Sequence, residues 1–191
     1  MRMSSFARAA ALVAVLGLPA AATAQMAASS MPASPAIPAA PIAAGVTPAD
    51  YNFIMQAGFG GWGEVSAGQI ARQRSSYPAV QSMAVMLVTD HMRANQQLAS
   101  LAAAHGIAAP TAPDPARQTT TGMLQQLSGP AFDQAFVTEQ VAEHQVAIAL
   151  FQSEAASSAD PGLRGFAQQQ LPILHHHFEM LTTASRVASV R

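Results

Sequence analysis

Four long stretches of the chain repeat apolar or small residues every three or four positions, which is the spacing of one face of an α-helix. In the first stretch this face comprises Ile54, Ala57, Gly61, Gly68 and Ala71. Glu64 lies on the same face and is therefore predicted to point inward. Thr47-Pro48-Ala49-Asp50 is a helix start signal, because threonine caps and proline is tolerated in the first turn. The pattern predicts a first helix that begins at Thr47.

The second stretch begins near Pro78 and ends at His105-Gly106, where glycine can adopt the left-handed conformation that closes a helix. Its predicted buried face comprises Val80, Ala84, Leu87, His91, Ala94 and Leu98. His91 is thus predicted to point inward. Asp90 lies about 100° around the helix from His91 and should face a seam between helices.

The last two stretches begin at Ser128-Gly129-Pro130 and at Asp160-Pro161, and the fourth extends to about Ala188. The apolar face of the third comprises Phe132, Phe136, Val137, Val141, His144, Ile148, Phe151 and Ala155. His177 lies within the apolar face of the fourth. Pro172 should bend that helix by releasing a backbone carbonyl one turn before it.

The connection between the second and third stretches is long and contains Pro110, Pro113 and Pro115. Asp114-Pro115 predicts a short helix that extends to about Leu127. About thirteen helical residues plus several extended ones could run the length of the neighbouring helices. The sequence leaves a crossover and a hairpin topology open. It predicts an all-α fold of four long helices with a short extra helix in this connection.

The first 24 residues have the form of a secretory signal peptide, with Arg2 and Arg8 before a short apolar segment and Ala22-Thr23-Ala24 at the cleavage positions. We predict cleavage after Ala24 and export, to the periplasm or an equivalent compartment. Residues 25–46 are rich in alanine, proline and methionine and predict a disordered linker. The folded domain is then expected over residues 47–188, with no integral membrane span after cleavage.

Half of the 191 residues are hydrophobic, 10% are charged, and the formal net charge is −1. Such a chain can build a sizeable core but offers no basic surface, so we expect no binding to nucleic acid. It contains no cysteine, which excludes disulfides and thiolate metal sites. The sequence identifies neither a protein partner nor an oligomeric state.

Four polar residues lie within about one turn of the middle of the four long predicted helices, and each falls on the inward face. They are Glu64, His91, His144 and His177. One carboxylate and three imidazoles at a common height predict a site for one transition-metal ion, such as zinc, copper, nickel or iron. Asp90 and Glu143 would orient the rings from outside the ligand set.

Three interpretations of these residues remain open. The leading one is a metal-binding or metal-responsive protein that is not an enzyme. The second is a structural or envelope-stress interaction module in which the core histidines are only hydrogen-bonded. The third is a metalloenzyme with an open coordination position. The chain lacks the Glu-x-x-His pairs of di-iron proteins, which disfavours ferroxidase or oxygenase chemistry.

Five motifs, in order, resemble the bacterial domain of unknown function 4142 over about residues 48–186. They are Gly63-Glu64-Val65-x-x-Gly68, Val88-x-Asp90-His91, Glu143-His144 leading to Leu150-Phe151, Asp160-Pro161-x-Leu163-Arg164-x-Phe166-Ala167, and Leu171-Pro172-x-Leu174-x-x-His177. The resemblance implies an exported, ferritin-like four-helix bundle. Among the site residues it carries over Glu64, Asp90, His91, His144 and His177 as characteristic polar positions. Glu143 stands where the family more often has aspartate, and His175 and His176 lie outside its pattern.

Overall fold

The computed structural model describes residues 45–188, and within that range every element of regular secondary structure is an α-helix. The predicted all-α class is confirmed. The helices are α1 (Pro48–Arg74), α2 (Pro78–Ala104), α3 (Pro115–Leu124), α4 (Gly129–Ser157) and α5 (Pro161–Ala188). The predicted signal peptide and residues 25–44 of the predicted linker lie outside the described residues.

The helix ends follow the local start and stop signals. Thr47 and Asp50 form a capping box at α1, in which the Asp50 amide donates to the Thr47 hydroxyl at 3.1 Å and the Thr47 amide donates to an Asp50 carboxylate oxygen at 2.9 Å. Asp114 and Asp160 cap α3 and α5 in the same way, through their carboxylates. Gly106, at φ 67°, closes α2. These short-range signals therefore set the boundaries within a few residues.

Two contacts between helix ends, together with the short connection from α1 to α2, fix the directions of the long helices. The Ser158 hydroxyl, after the end of α4, donates to Asp50 at the start of α1, at 2.6 Å. Nε2 of His105, after the end of α2, lies 3.1 Å from Oδ2 of Asp160 at the start of α5. Helix α1 is thus antiparallel to α4, and α2 is antiparallel to α5. Because α2 is also antiparallel to α1, helices α2 and α4 run in the same direction and their connection is a crossover.

Glycines on α1 let the crossover approach closely. A Cβ atom added to Gly58 would lie 2.7 Å from Cδ of Pro110, and one added to Gly63 would lie 2.7 Å from Cδ of Arg117. Between them, the Trp62 indole donates a 2.8 Å hydrogen bond to the Pro110 carbonyl. The glycine-rich segment of α1 therefore serves as the seat for the crossover, and α1 continues through it without interruption.

Two apolar clusters fill the interior, one toward each end of the helices. The first, here the first core, includes Phe53, Leu98, Phe151, Phe166 and Leu174, and the Phe53 and Phe151 rings meet edge to face at 5.0 Å. The second core includes Leu87, Phe132, Phe136, Val137 and Leu181. Burial of these side chains supplies the main driving force for helix packing. Across residues 45–188, no helix combines the length and the apolar character needed to cross a membrane.

Candidate metal centre

Between the two cores lies a layer of four polar side chains, one from each long helix. Glu64 of α1, His91 of α2, His144 of α4 and His177 of α5 are exposed by 3%, 6%, 0% and 0%. We call these four residues the histidine layer. Each lies near the middle of its helix, on the face that the apolar periodicity predicted to be buried. The structure therefore brings together all four residues that the sequence placed at one height.

Glu64 bonds to His91 and lies beside His144, facing the Nδ1 atom of each ring. Its Oε2 atom lies 2.8 Å from His91 Nδ1, and its Oε1 atom lies 3.2 Å from His144 Nδ1. The backbone carbonyl of Gln140 lies 3.0 Å from the same His144 nitrogen. Carboxylate and carbonyl oxygens only accept hydrogen bonds, so Nδ1 carries the proton in both rings. In the neutral rings, the Nε2 atoms of His91 and His144 are consequently left with lone pairs.

His177 is held from the other side by Asp90. Its Nε2 atom lies 3.1 Å from Asp90 Oδ2, and its Nδ1 atom lies 3.4 Å from His144 Nε2. The Asp90 side chain is 27% exposed, in the seam between α2 and α5, as its position on the helix predicted. Because a carboxylate accepts, Nε2 of His177 carries the proton and Nδ1 presents a lone pair. If both rings are neutral, the lone pairs of His144 Nε2 and His177 Nδ1 therefore face each other.

The number of protons available along this series of contacts determines whether the contact between His144 and His177 can be a hydrogen bond. The path from the Gln140 carbonyl through His144 and His177 to Asp90 contains three close contacts, and both of its ends are acceptors. Two neutral imidazoles supply only two protons. Either one ring is an imidazolium, or the contact between His144 Nε2 and His177 Nδ1 holds no proton. A cation bound between these two nitrogens resolves the second case.

Burial favours neutral rings. Burial lowers the pKa of His144 below its usual 6.5, against the attraction of the Glu64 carboxylate. Burial and the neighbouring charge of His91 lower the pKa of His177 to about 4, although Asp90 opposes this. Burial would raise the pKa of Glu64, but His91 and His144 outweigh it and lower that pKa to about 2. At neutral pH the layer thus contains an ionised carboxylate beside two rings, His144 and His177, whose lowered pKa values favour the neutral form with a free lone pair.

The three rings converge on one point. A ligand nitrogen from each of His91, His144 and His177 lies within 4.8 Å of those from the other two. His91 Nε2 is buried and makes no hydrogen bond with the described residues. Two nitrogens bound to a tetrahedral ion at about 2.0–2.1 Å lie about 3.4 Å apart. The separation of 3.4 Å between His144 Nε2 and His177 Nδ1 equals that value, whereas N–H···N hydrogen bonds are usually shorter.

The remaining predicted residues lie further out. Glu143 Oε2 accepts hydrogen bonds from Nε and Nη2 of Arg117, at 3.0 and 2.8 Å, and the structure records no bond from Glu143 to a ring of the layer. Arg117 comes from the crossover and also contacts Asp114. His176, like His175, is exposed beside buried His177. The Glu143 carboxylate thus anchors the crossover over α1 and α4.

Sequence reasoning missed two residues at the centre. The Gln140 carbonyl bonds to the ring one turn later, a local contact that the i, i+4 spacing could have suggested. Asn95 lies one turn after His91 on the same face and is 6% exposed. A polar residue on an apolar stripe, four positions from a candidate ligand, was the available signal.

A cavity of about 50 Å³ adjoins the layer on the side of the first core. Its polar lining includes Glu64, His91, Asn95 and His177. Apolar side chains such as Leu98, Phe151, Phe166 and Leu174 form much of the remaining wall. The rings therefore border a small, mainly apolar space and not only packed side chains.

The family comparison covers the whole layer. Residues 35–183 match the family described as Domain of unknown function, DUF4142. No curated protein and no solved structure matches the chain.

Proposed function

Since this chain belongs to the DUF4142 family, whose description assigns no activity, we propose a function from the geometry of its histidine layer. The protein binds one divalent transition-metal ion through Nε2 of His91, Nε2 of His144 and Nδ1 of His177. The observation that carries this proposal is the pair of lone-pair nitrogens 3.4 Å apart in a buried site. The unpartnered Nε2 of His91 supplies the third donor.

Carboxylates hold the outward nitrogens of these rings. Glu64 bonds to His91 and lies beside His144, and Asp90 bonds to His177. Such contacts fix the tautomer and make the opposite nitrogen a better ligand. Glu64 thus serves as the carboxylate that orients two rings. This role is more consistent with its contacts than the direct metal ligation that the sequence predicted. Three neutral imidazoles suit zinc, copper, nickel or ferrous iron.

The fold that holds the site is a ferritin-like four-helix bundle with a crossover. The ring of contacts among α1, α2, α5 and α4 and the parallel course of α2 and α4 support this assignment. The protein is exported behind a cleaved signal peptide and acts outside the cytoplasm on a linker. Its task is metal binding or metal response rather than catalysis.

One observation favours a structural alternative. His91 and Glu64 approach to 2.8 Å, the distance of a strong charge-assisted hydrogen bond. If either His144 or His177 were an imidazolium, each of the three contacts from the Gln140 carbonyl to the Asp90 carboxylate would hold a proton. The layer would then fix the register of the helices without an ion.

Elemental analysis of untagged protein, after dialysis against a mixture of the four candidate metals, separates the two functions. We expect about one ion per chain in the unmodified protein. His144→Ala should weaken binding by about 100-fold or more, because it removes a direct ligand. His176→Ala is the matched control, since this exposed imidazole stands next to His177 outside the layer.

Circular dichroism of both variants shows whether they remain helical. A folded His144→Ala variant without metal, beside a loaded His176→Ala variant, supports the proposed site. If the unmodified protein holds no ion, or if His176→Ala loses the ion and His144→Ala retains it, the proposal is wrong.

A further inference from the structure

The cavity beside the histidine layer contains a buried polar group that the fold does not use. Asn95 is 6% exposed, and its Nδ2 atom makes no hydrogen bond with any residue of the described range. A buried amide without a partner destabilises a protein, because it loses its hydrogen bonds to water and gains none in the fold. Asn95 lines the cavity together with His91, whose Nε2 atom is also buried and has no hydrogen-bond partner among the described residues. Two unsatisfied nitrogens thus border the same small space.

Helix α1 supports the position of this amide. A Cβ atom added to Gly61 would lie 2.3 Å from Asn95 Oδ1 and 3.1 Å from Nδ2. The absence of a side chain at Gly61 therefore lets the amide pack against the α1 backbone. Gly60 and Gly61 both line the cavity. Neither glycine adds a side chain to this wall, and Gly61 faces Asn95, whereas Gly58 and Gly63 face the crossover.

The cavity limits the size and character of an occupant. About 50 Å³ accommodates roughly three or four water-sized atoms. Much of the wall is apolar, and its polar groups are the layer with Asp90, then Asn95, and further side chains that include Arg117, Glu143 and two glutamines, Gln56 and Gln170. A ligand of two or three non-hydrogen atoms that ends in a hydrogen-bond acceptor matches this arrangement. Such a ligand can bind an ion with one end and accept from Asn95.

We propose that the metal site keeps an exchangeable coordination position open to this cavity, and that the position takes a small acceptor ligand held by Asn95. The proposal rests on the proposed function, because the ligand needs the ion. Three protein nitrogens leave a tetrahedral ion one position short of completion. The ligand class is a small anion or neutral molecule with a lone-pair donor end, for which azide is the probe.

The test uses the purified protein loaded with cobalt(II), whose visible absorption reports the coordination of the ion. Titration with azide should change this absorption with saturation at one azide per ion. In Asn95→Leu we expect the same cobalt affinity and an azide affinity that is about tenfold weaker, because one hydrogen bond to the ligand is lost. Gln96→Leu is the matched control, since Gln96 is the next residue of α2 and is exposed.

A thermal measurement separates a ligand role from a structural one. If Asn95 serves only the ligand, Asn95→Leu should unfold at the same temperature as the unmodified protein or higher, because it replaces an unpartnered amide with an apolar group of similar size. A lower unfolding temperature, together with unchanged azide affinity, would assign Asn95 to the fold and overturn the proposal.

The outcomes also separate this proposal from metal binding itself. Cobalt absorption that azide leaves unchanged means a closed site, which overturns the open position and leaves metal binding intact. Absence of bound cobalt in the unmodified protein overturns both. Azide binding that is equal in the unmodified protein and in Asn95→Leu leaves an open position but refutes the role of Asn95.

Discussion

Two buried glutamates in this protein have different neighbours, and their pKa values are shifted in opposite directions. Glu64, in the histidine layer, faces His91 and His144, and its pKa falls to about 2. Glu154, near the end of α4, faces Asp50, and burial together with that carboxylate raises its pKa to about 7. Both are almost inaccessible, with exposures of 3% and 4%. Burial alone therefore does not decide the protonation of a core carboxyl group, whereas its partner does.

The two sites also differ in how completely they are satisfied. Burial acts to raise the pKa of Asp50, but hydrogen bonds from Ser158 and Thr47 outweigh it and keep that pKa low. A protonated Glu154 can then donate to Asp50, so the pair shares one proton and one charge. Among the described residues, each glutamate keeps one buried oxygen without a hydrogen-bond partner, Oε1 in both cases, but only the histidine layer also leaves a ring nitrogen, Nε2 of His91, without one. The histidine layer is therefore the site that offers an unused lone pair to a metal ion.

The largest expected effect comes from removing the charge at the layer. Glu64→Gln should destabilise the metal-free protein by about 2–3 kcal/mol, because the amide cannot accept from both rings and leaves buried groups unpaired. Denaturant unfolding at pH 7 measures this loss. Glu154→Gln serves as the comparison, since the same change at the other buried glutamate should not destabilise. Equal losses in both variants would remove the distinction between the sites.

A metal ion should stabilise one site and leave the other unaffected. At a free ion concentration of 100 Kd, binding to the folded state adds about 2.7 kcal/mol. Thermal unfolding with and without the ion should show this gain in the unmodified protein and in Glu154→Gln. His144→Ala should show none. A gain that survives in His144→Ala would locate the ion elsewhere.

The pH dependence of stability should have opposite signs at the two glutamates. The raised pKa of Glu154 means that the folded state keeps its proton from pH 4.5 to about 7 while the unfolded chain loses it. Stability from this group is therefore lost as pH rises through that window. Glu154→Gln resembles the protonated form, so its stability relative to the unmodified protein should increase by about 2.5 kcal/mol between pH 5 and pH 8. Unfolding curves at pH 5 and pH 8 provide the test, and an equal difference at both values would contradict it.

For Glu64 the pKa is lowered, so its contribution to stability changes with pH in the opposite direction. Its contribution is fully present above its usual pKa of 4.5 and is lost as pH falls toward 2. His177 acts in the same direction between pH 6.5 and about 4, because only its unfolded form gains a proton there. In Glu154→Gln the opposing contribution of Glu154 is removed. The free energy of unfolding of this variant should thus rise with pH over this acid range.

Local sequence signals determined much of this fold, and the reasons are visible at particular residues. The Thr47–Asp50 capping box and Gly106 lie where the start and stop patterns placed them. Apolar periodicity also placed His91, His144 and His177 inward. These features depend on neighbours within one or two turns, so a single sequence contains them.

The topology and the orientation of the rings depend on contacts far apart in the chain. The crossover is seated where Pro110 meets Gly58 and Arg117 meets Gly63, and neither pairing leaves a local pattern. Helical periodicity gives the face of a residue but not which nitrogen of a ring points inward. Glu143, predicted beside the histidines, instead meets Arg117 because the crossover delivers that guanidinium.

The smallest effect on stability is expected at Asp90, the partly exposed carboxylate that bonds to His177. Asp90→Asn should destabilise the metal-free protein by only about 0.5 kcal/mol, since water partly solvates this seam. Metal affinity should nevertheless fall by about tenfold, because the His177 ring loses the carboxylate that orients it. Calorimetric titration with zinc measures the second quantity. Unchanged affinity would show that Asp90 does not support the site.

The three converging rings come from helices that are widely separated along a chain without cysteine. An ion bound by all three would close two long loops at once, much as a pair of disulfides would, but reversibly. Such a closure restricts the denatured chain as long as at least two ligands stay bound to the ion, and it raises the barrier to opening the helices. The rate of unfolding would then follow the dissociation of the ion, so metal supply would set the lifetime of the folded protein.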